Sequence, residues 1–195
     1  MTNVLILNGH QPYPTSQGRL NASFCTRATA YCQKKSHPKR LIHTAKSWDL
    51  ETEIENQLWA DIVIVQFPLN SMGLPWSLKR YLDEVYTAGM DGRLARGDGR
   101  TRSDSRKQYG SGGSMHDTSY MLSVTLNAPK AAFGDPKQNL FKGRTLDDLL
   151  APVHINFAFF GMQPLSTFAS YDVSKAPTIE SDLLAFDRHL ECAFP

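Results

Sequence analysis

Apolar positions along this chain come in blocks, and the blocks change period. Residues 4–7 form a short apolar run closed by Asn8-Gly9, the pattern of a buried strand entering a turn. Leu20, Phe24, Ala28 and Tyr31 then recur at helical spacing and predict a helix over 20–34. KRLIHT (39–44) reads as a weaker second strand, and ETEIENQLW (51–59) as a short helix with a polar face. ADIVIVQFP (60–68) is the clearest strand, β-branched and apolar up to its proline, as suits a central parallel strand covered on both faces. After Pro75, which fits a first helical turn, Leu78, Leu82 and Val85 mark a buried helical stripe.

The second half repeats the alternation. SYMLSVTL (119–126) is a fourth strand. In 145–162, Leu146, Leu149, Leu150, Val153, Phe157 and Phe160 fall at helical spacing, with Pro152 placed to bend the helix. PLSTFAS (164–170) is a fifth strand, and Ile179, Leu183, Phe186, Leu190 and Phe194 give a last helix. About five βα units predict an α/β fold: a parallel sheet in the order 2-1-3-4-5 with helices on both faces. No repeat or linker divides the chain, so 1–195 reads as one domain. Residues 87–118 and 127–143 are long excursions, of a size that is usually functional or mobile.

Composition narrows the picture only slightly. The chain has 195 residues, 41% hydrophobic and 21% charged, with a formal net charge of +2, all ordinary for a water-soluble globular protein. No stretch approaches the ~20 apolar residues of a membrane helix, and no secretion signal opens the chain. Cys25, Cys32 and Cys192 are odd in number and lack a Cys-x-x-Cys pair; on one helix Cys25 and Cys32 would stand roughly 10 Å apart, too far for a disulfide. Free thiols in a reducing cytoplasm are the simple expectation. The six histidines form no ligand-spaced group, so no metal site is expected; His10, in the first loop, is either a cofactor contact or, the simpler reading, an ordinary loop residue.

In a sheet of order 2-1-3-4-5 the crevice opens between strands one and three, at their carboxyl ends. Three loops meet there. The first, 8–23, ends in SQGRLNAS as a helix begins; Ser16, Gly18, Asn21 and Ser23 supply small size, hydroxyls and an amide, and Arg19 supplies charge. Read alone, it fits either a phosphate cradle or an ordinary capped βα loop. The second, PLNSMGLP, is stiffened by prolines and can present backbone to a flat ring; the third, TLNAP, offers backbone, a hydroxyl and an amide. Together they fit a flavin nucleotide better than a lone phosphate.

These blocks resemble the flavodoxin-like NAD(P)H:quinone reductases, most closely the modulator of drug activity B branch. The resemblance is carried by SQGRLN, LWADIVIVQFPLNSMGLPWSLKRYLDEVY, DGRTR, YGSGG, MLSVTLNAPKAAF and FFGMQPL, in that order from Asn3 nearly to the C-terminus. It implies a flavodoxin-like fold, FAD as cofactor, NADPH as hydride donor, a quinone as substrate and a homodimer in the cytoplasm. Ser16, Gln17, Gly18, Arg19, Leu20, Asn21, Ala22 and Ser23 would hold the diphosphate. Pro68, Leu69, Asn70, Ser71 and Met72 would line the isoalloxazine edge, and Thr125, Leu126, Asn127 and Ala128 its other side. Tyr109, at the start of YGSGG, would also touch FAD. The chain departs from the family in two places. Asn70 and Ser71 stand where many relatives have Trp, and Phe133 and Gln138-Asn139 stand where mammalian-type enzymes carry a Tyr and a His, so no catalytic proton donor is assigned.

Phe133 and Phe141, in the excursion after the fourth strand, are candidates for the apolar part of a quinone pocket or for plain loop packing. The basic run 92–107 holds Arg93, Arg96, Arg100, Arg102, Arg106 and Lys107 against two acids. Without interleaved aromatics it reads as a solvated loop, with nucleotide phosphate as the functional alternative and no nucleic-acid partner expected. The glycines of YGSGG read as flexibility near the cofactor, and Met72 as a packing residue. An electron carrier of the same fold, or an azo- or nitro-reductase with the same flavin site, are the competing activities.

Overall fold

The computed structural model describes residues 1–194. Strands form where the chain is apolar on both sides of the pleat. β1 (Val4–Asn8), β3 (Ile62–Pro68) and β4 (Ser119–Thr125) are buried almost throughout. β2 (Lys39–His43), the weak sequence signal, is largely exposed and lies at an edge. The sheet is parallel, in the order β2-β1-β3-β4 with β5 (Gln163–Pro164) beyond, as the alternation of elements predicts.

Alternate residues of the central strands feed two cores. Leu5, Leu7, Val63 and Val65 pack with Ile54 of α2 (Leu50–Trp59), Leu78, Leu82 and Val85 of α3 (Trp76–Gly89), and Leu146 of α4 (Leu146–Leu149) with Val153 and Phe157 of α5 (Ala151–Phe159). Val4, Ile6, Ile62 and Ile64 face the other way, against Phe24 of α1 (Arg19–Lys34) and Phe186 and Leu190 of α6 (Ile179–Ala193). At roughly 1.5–3 kcal/mol for each such side chain buried, this two-sided packing fixes the strand faces and hence the register.

Two elements differ from the sequence reading. The fifth strand is in two pieces, β5 (Gln163–Pro164) beside the start of β4 and β6 (Phe168–Ser170) beside its end. Pro164 has no N–H for the ladder, and the break sits at the sheet edge, where its cost is least. The helix read over 145–162 is α4 and α5, separated at Leu150; Pro152 occupies the first turn of α5 rather than bending one long helix.

The 87–118 excursion is folded, not loose. Leu94 and Ala95 are fully buried, and the Arg96 N–H donates to the Gly112 carbonyl at 2.8 Å. A Cβ on Gly112 would lie 2.4 Å from the Gly97 carbonyl oxygen, and one on Gly113 2.3 Å from the Phe160 carbonyl carbon. Those glycines of YGSGG therefore serve close backbone packing and not flexibility. Among the described residues no helix is long and apolar enough to cross a membrane, and no group of three or more His, Cys, Asp or Glu could hold a metal ion. All three cysteines are free.

Candidate cofactor site

One polar row crosses the otherwise apolar sheet at the carboxyl ends of its strands. Asn8, Gln66 and Ser123 are register partners on β1, β3 and β4, and Asn21 reaches them from the first turn of α1. Their hydrogen bonds run in one direction. Ser123 Oγ donates to Gln66 Oε1 at 2.6 Å, Gln66 Nε2 to Asn21 Oδ1 at 3.0 Å, and Asn21 Nδ2 to Asn8 Oδ1 at 2.7 Å. Asn8 Oδ1 also accepts the His10 N–H at 3.2 Å. All four side chains are buried, so the row is a satisfied interior network that pins α1 to the sheet. Asn21, read as a phosphate-facing amide, thus turns inward and has only its backbone N–H left for a ligand.

The loop ahead of α1 ends in an open cradle. A tight turn at 13–16 is closed by reciprocal backbone bonds of 3.0 Å between Tyr13 and Ser16. Gly18 then takes a left-handed conformation, φ 70°, as the N-cap residue of α1, with no side-chain cap and no acid in the first turn. Among the described residues the N–H groups of Gln17, Gly18, Arg19, Leu20 and Asn21 have no protein acceptor. Five consecutive open donors at a helix start can receive an anion, since dipole and N–H vectors act together there. Arg19 is exposed beside it. Ser23 donates its hydroxyl to the Arg19 carbonyl at 3.1 Å, and Leu20 packs inward with the α1 core, so neither acts as a free polar group.

His10 belongs to this cradle, although the simpler reading of the sequence makes it an ordinary loop residue. Its ring lies under Gly18, where an added Cβ would meet Nδ1 at 2.3 Å, and its Nε2 is 3.4 Å from Ser16 Oγ. Burial holds its pKa below the ordinary imidazole value, while hydrogen bonding to Ser16 pulls the other way. The imidazole is therefore neutral beside the cradle near pH 7. The sequence signal was its position, two residues past the end of the first strand.

The second and third loops are tied to each other. The Leu69 N–H donates to the Thr125 carbonyl at 2.8 Å, and the Leu126 N–H to the Ser170 carbonyl at 3.0 Å. Thr125 and Leu126 are buried. Asn70 and Gly73 exchange both backbone bonds across a two-residue turn, which puts Ser71 (φ 48°) and Met72 (φ 64°) in the left-handed region. Each such non-glycine residue costs about 1–3 kcal/mol, and strain of this kind gathers at functional sites. Pro68 closes β3 beneath this turn. Met72 is 51% exposed, so it is not a packing residue. Asn127 Oδ1 accepts the Ser174 hydroxyl at 2.6 Å. Among the described residues, the backbone N–H groups of Ser71, Met72 and Leu74 in the second loop and of Asn127 and Ala128 in the third have no protein acceptor.

A cleft of about 590 Å³ adjoins the second loop. Met72, Gly73 and Leu74 form one wall; Leu82 of α3, Leu149, Val153 and Phe159 form its apolar floor, and Tyr109 stands at its mouth, 5.7 Å from the Phe159 ring centre. Met72 and Tyr109 are thus brought to one cavity. Phe133 and Phe141 are elsewhere: they stack on each other at 4.3 Å, and Phe133 lines a separate 420 Å³ hollow with Lys130, Asp147 and Tyr171.

A family model described as "Flavodoxin-like fold" matches residues 2–190. The chain is 40% identical over 191 residues to an uncharacterized protein of Schizosaccharomyces pombe, covering 98% of this chain and 96% of the relative. It is 36% identical over 192 residues to the NADPH:quinone oxidoreductase MdaB of Haemophilus influenzae, covering 98% and 99%. The crystal structure of general stress protein 14 from Treponema denticola, in complex with FMN, superposes with a TM-score of 0.68 at 17% identity, covering 100% of both chains. At that identity the likeness concerns the fold alone.

Proposed function

The chain belongs to the flavodoxin-like fold family, and from that premise we propose that it is an FAD-dependent NAD(P)H:quinone oxidoreductase. The observation that carries the proposal lies at the point where strand order reverses: the loops leaving the neighbouring strands β1 and β3 carry five open N–H groups and a strained turn, and that turn lines an apolar cleft. The 36% identical relative named as an NADPH:quinone oxidoreductase supports the activity.

The residues fit a flavin dinucleotide. The N–H run of 17–21, with Arg19 outside and His10 beneath, suits a diphosphate better than one phosphate, which favours FAD over FMN. Ser16, Gln17 and Ala22 frame that cradle. A bound flavin supplies hydride acceptance from a nicotinamide and hydride delivery to a quinone. The protein's part is to hold and polarise. The N–H groups of Ser71, Met72, Asn127 and Ala128 are fixed before reaction and favour negative charge at a ring edge without reorganisation. The cleft floor of Leu82, Leu149, Val153 and Phe159 excludes water and accepts a flat apolar acceptor. One cleft of this size takes the nicotinamide and the quinone in turn, so the kinetics are ping-pong.

Exposed apolar side chains line the cleft: Met72 51%, Tyr109 67% and Ile155 66%. A second copy of the chain covering them makes a homodimer with the cleft at its interface. The deciding experiment releases the ligand from purified protein, identifies it by mass, and follows NADPH oxidation with menadione. FAD and parallel double-reciprocal lines are expected. A folded protein that binds no flavin, or intersecting lines without reduction by NADPH alone, would overturn the proposal.

A further inference from the structure

We propose that Asn156 positions the electron acceptor in the cleft, its side-chain amide donating a hydrogen bond to a quinone carbonyl oxygen. The inference deepens the oxidoreductase reading and rests on it for the chemical class of the acceptor.

α5 turns one face to the cleft. Pro152, Val153, Asn156 and Phe159 all line it, and their spacing of three and four residues puts them on a single stripe. Asn156 is the polar member of that stripe. The other polar side chain of this nine-residue helix, His154, is committed elsewhere: its Nδ1 lies 2.8 Å from Tyr120 Oη and its Nε2 3.3 Å from Asp147 Oδ1. Asparagine is a poor helix former, because its amide competes for backbone hydrogen bonds, so its place in the middle of an apolar helix is unfavourable for the fold.

Internal bonding does not explain that place. Four side-chain N and O atoms are buried without a hydrogen-bond partner among the described residues, and of these only Asn156 Nδ2 belongs to a residue that lines the cleft. Buried polar groups in folded proteins are nearly always paired, so a donor left open at a cavity wall points to an acceptor that arrives from outside. The last torsion of an amide is broad and two-fold, and its rotation turns the N–H end toward an occupant. The cleft's charged side chains are already engaged: Lys79 and Asp83 pair with each other one turn apart on α3. Tyr109 stands at the mouth, 67% exposed, with its ring against Phe159 and the Arg100 guanidinium.

The occupant must therefore be flat and apolar against Leu82, Leu149 and Val153, yet carry an acceptor atom at its edge. A quinone meets both demands, with carbonyl oxygens set in the plane of a hydrophobic ring. A neutral amide N–H suits that oxygen, and its hydrogen bond strengthens as negative charge develops there, so it favours reduction as well as binding. The amide transfers neither the hydride nor the proton that together turn a quinone into a hydroquinone; it holds the carbonyl in place.

The test is equilibrium dialysis of the purified full-length flavin-loaded protein, without NADPH, against 2,3-dimethyl-1,4-naphthoquinone and 2,3-dimethylnaphthalene, the same frame without carbonyls. In N156L and in N156A the quinone binds roughly fivefold to tenfold more weakly than in wild type, while affinity for the hydrocarbon does not fall. The KM for the quinone rises by a similar factor, and the rate of flavin reduction by NADPH is unchanged. Melting temperatures of the variants lie at or above wild type, because the unpaired donor is gone. Unchanged quinone affinity in both variants, an equal loss for the hydrocarbon, or a lowered melting temperature in both overturns the proposal. The probes report without turnover. A carbonyl preference that depends on Asn156 in a protein that does not reduce quinones would therefore support the positioning role and sink the activity, and turnover with an unchanged KM in both variants would do the reverse.

Discussion

Asn21→Ala separates what the first turn of α1 does for the fold from what it does for a ligand. The side chain is 2% exposed and makes two hydrogen bonds, at 2.7 Å to Asn8 and 3.0 Å to Gln66. Alanine leaves the Gln66 amide N–H without an acceptor in a place water does not reach, and takes from Asn8 Oδ1 one of its two donors. An orphaned buried polar group costs about 1–3 kcal/mol and a lost bond about 1, against roughly half a kcal/mol regained from helix propensity. The net loss is about 2–3 kcal/mol. For a chain of this size it lowers Tm by roughly 4–12 °C. The assay is urea unfolding of the flavin-free protein, read as a shift in midpoint at constant slope. Arg19→Ala, two residues away but exposed, supplies the contrast: stability within about 0.5 kcal/mol of wild type and flavin affinity down about tenfold. An Asn21→Ala protein within about 0.5 kcal/mol of wild type would refute the buried row as the pin of α1.

Three further outcomes are expected. Gly113→Ala drives a Cβ to within 2.3 Å of the Phe160 backbone, so the protein loses several kcal/mol or fails to fold, and an unchanged melting curve would contradict the packing role of that glycine. Burial lowers the folded-state pKa of His10 and of His43, for which Lys46 adds to the effect, so the unfolded chain binds more protons below the ordinary value of 6.5. That stability is fully present above pH 6.5 and is lost on acidification below it, until the folded imidazoles also protonate; the drop in urea midpoint between pH 7 and 5.5 should be smaller in His10→Asn than in wild type. Burial pushes the Cys25 and Cys32 thiols up to about 12 and about 11, whereas Cys192 is exposed, so a thiol reagent at pH 8 should titrate one cysteine in the native protein and three after denaturation.

The layers of this fold were legible because burial on both sheet faces leaves an unmistakable trace: IVIVQF could be nothing but an interior strand. The order of the strands followed from the alternation of elements. The polar row was less visible, since Asn8, Gln66 and Ser123 lie far apart in sequence and only register makes them neighbours. Each does interrupt an apolar run near its strand's carboxyl end, and that shared interruption was the available signal. Asn21 was placed in the right loop but pointed the wrong way, because residue type does not say which side of a helix start faces the sheet. The strained turn was hidden more deeply. Asn-Ser-Met-Gly carries its glycine one position after the two left-handed residues, so local preference argues against the conformation that tertiary bonds impose.

That mismatch with local preference is itself informative, because the departures from local rules are not scattered. α2 begins with Asp49 capping Thr52, α4 with a reciprocal Thr145–Asp148 box, and α6 with Glu180 and Asp182 in its first turn. α1 and α3, which follow β1 and β3 across the switch point, have neither a side-chain cap nor a first-turn acid. α5, equally bare, continues from α4 through Leu150 and has no free-standing start. An uncapped helix start forgoes about 1 kcal/mol, and an acid placed there would add stability through the helix dipole. Both omissions follow the carboxyl ends of the paired strands β1 and β3, as does the Ser71–Met72 turn, itself strained by about 1–3 kcal/mol per residue. A sequence that caps α2 and α4, puts acids in the first turn of α6 and leaves these two bare forgoes stability where an anionic ligand would restore it. On this account the flavin-free protein is the less stable form, and its first losses in hydrogen-exchange protection on ligand removal are expected at 17–22 and 69–78 rather than in α2 or α6.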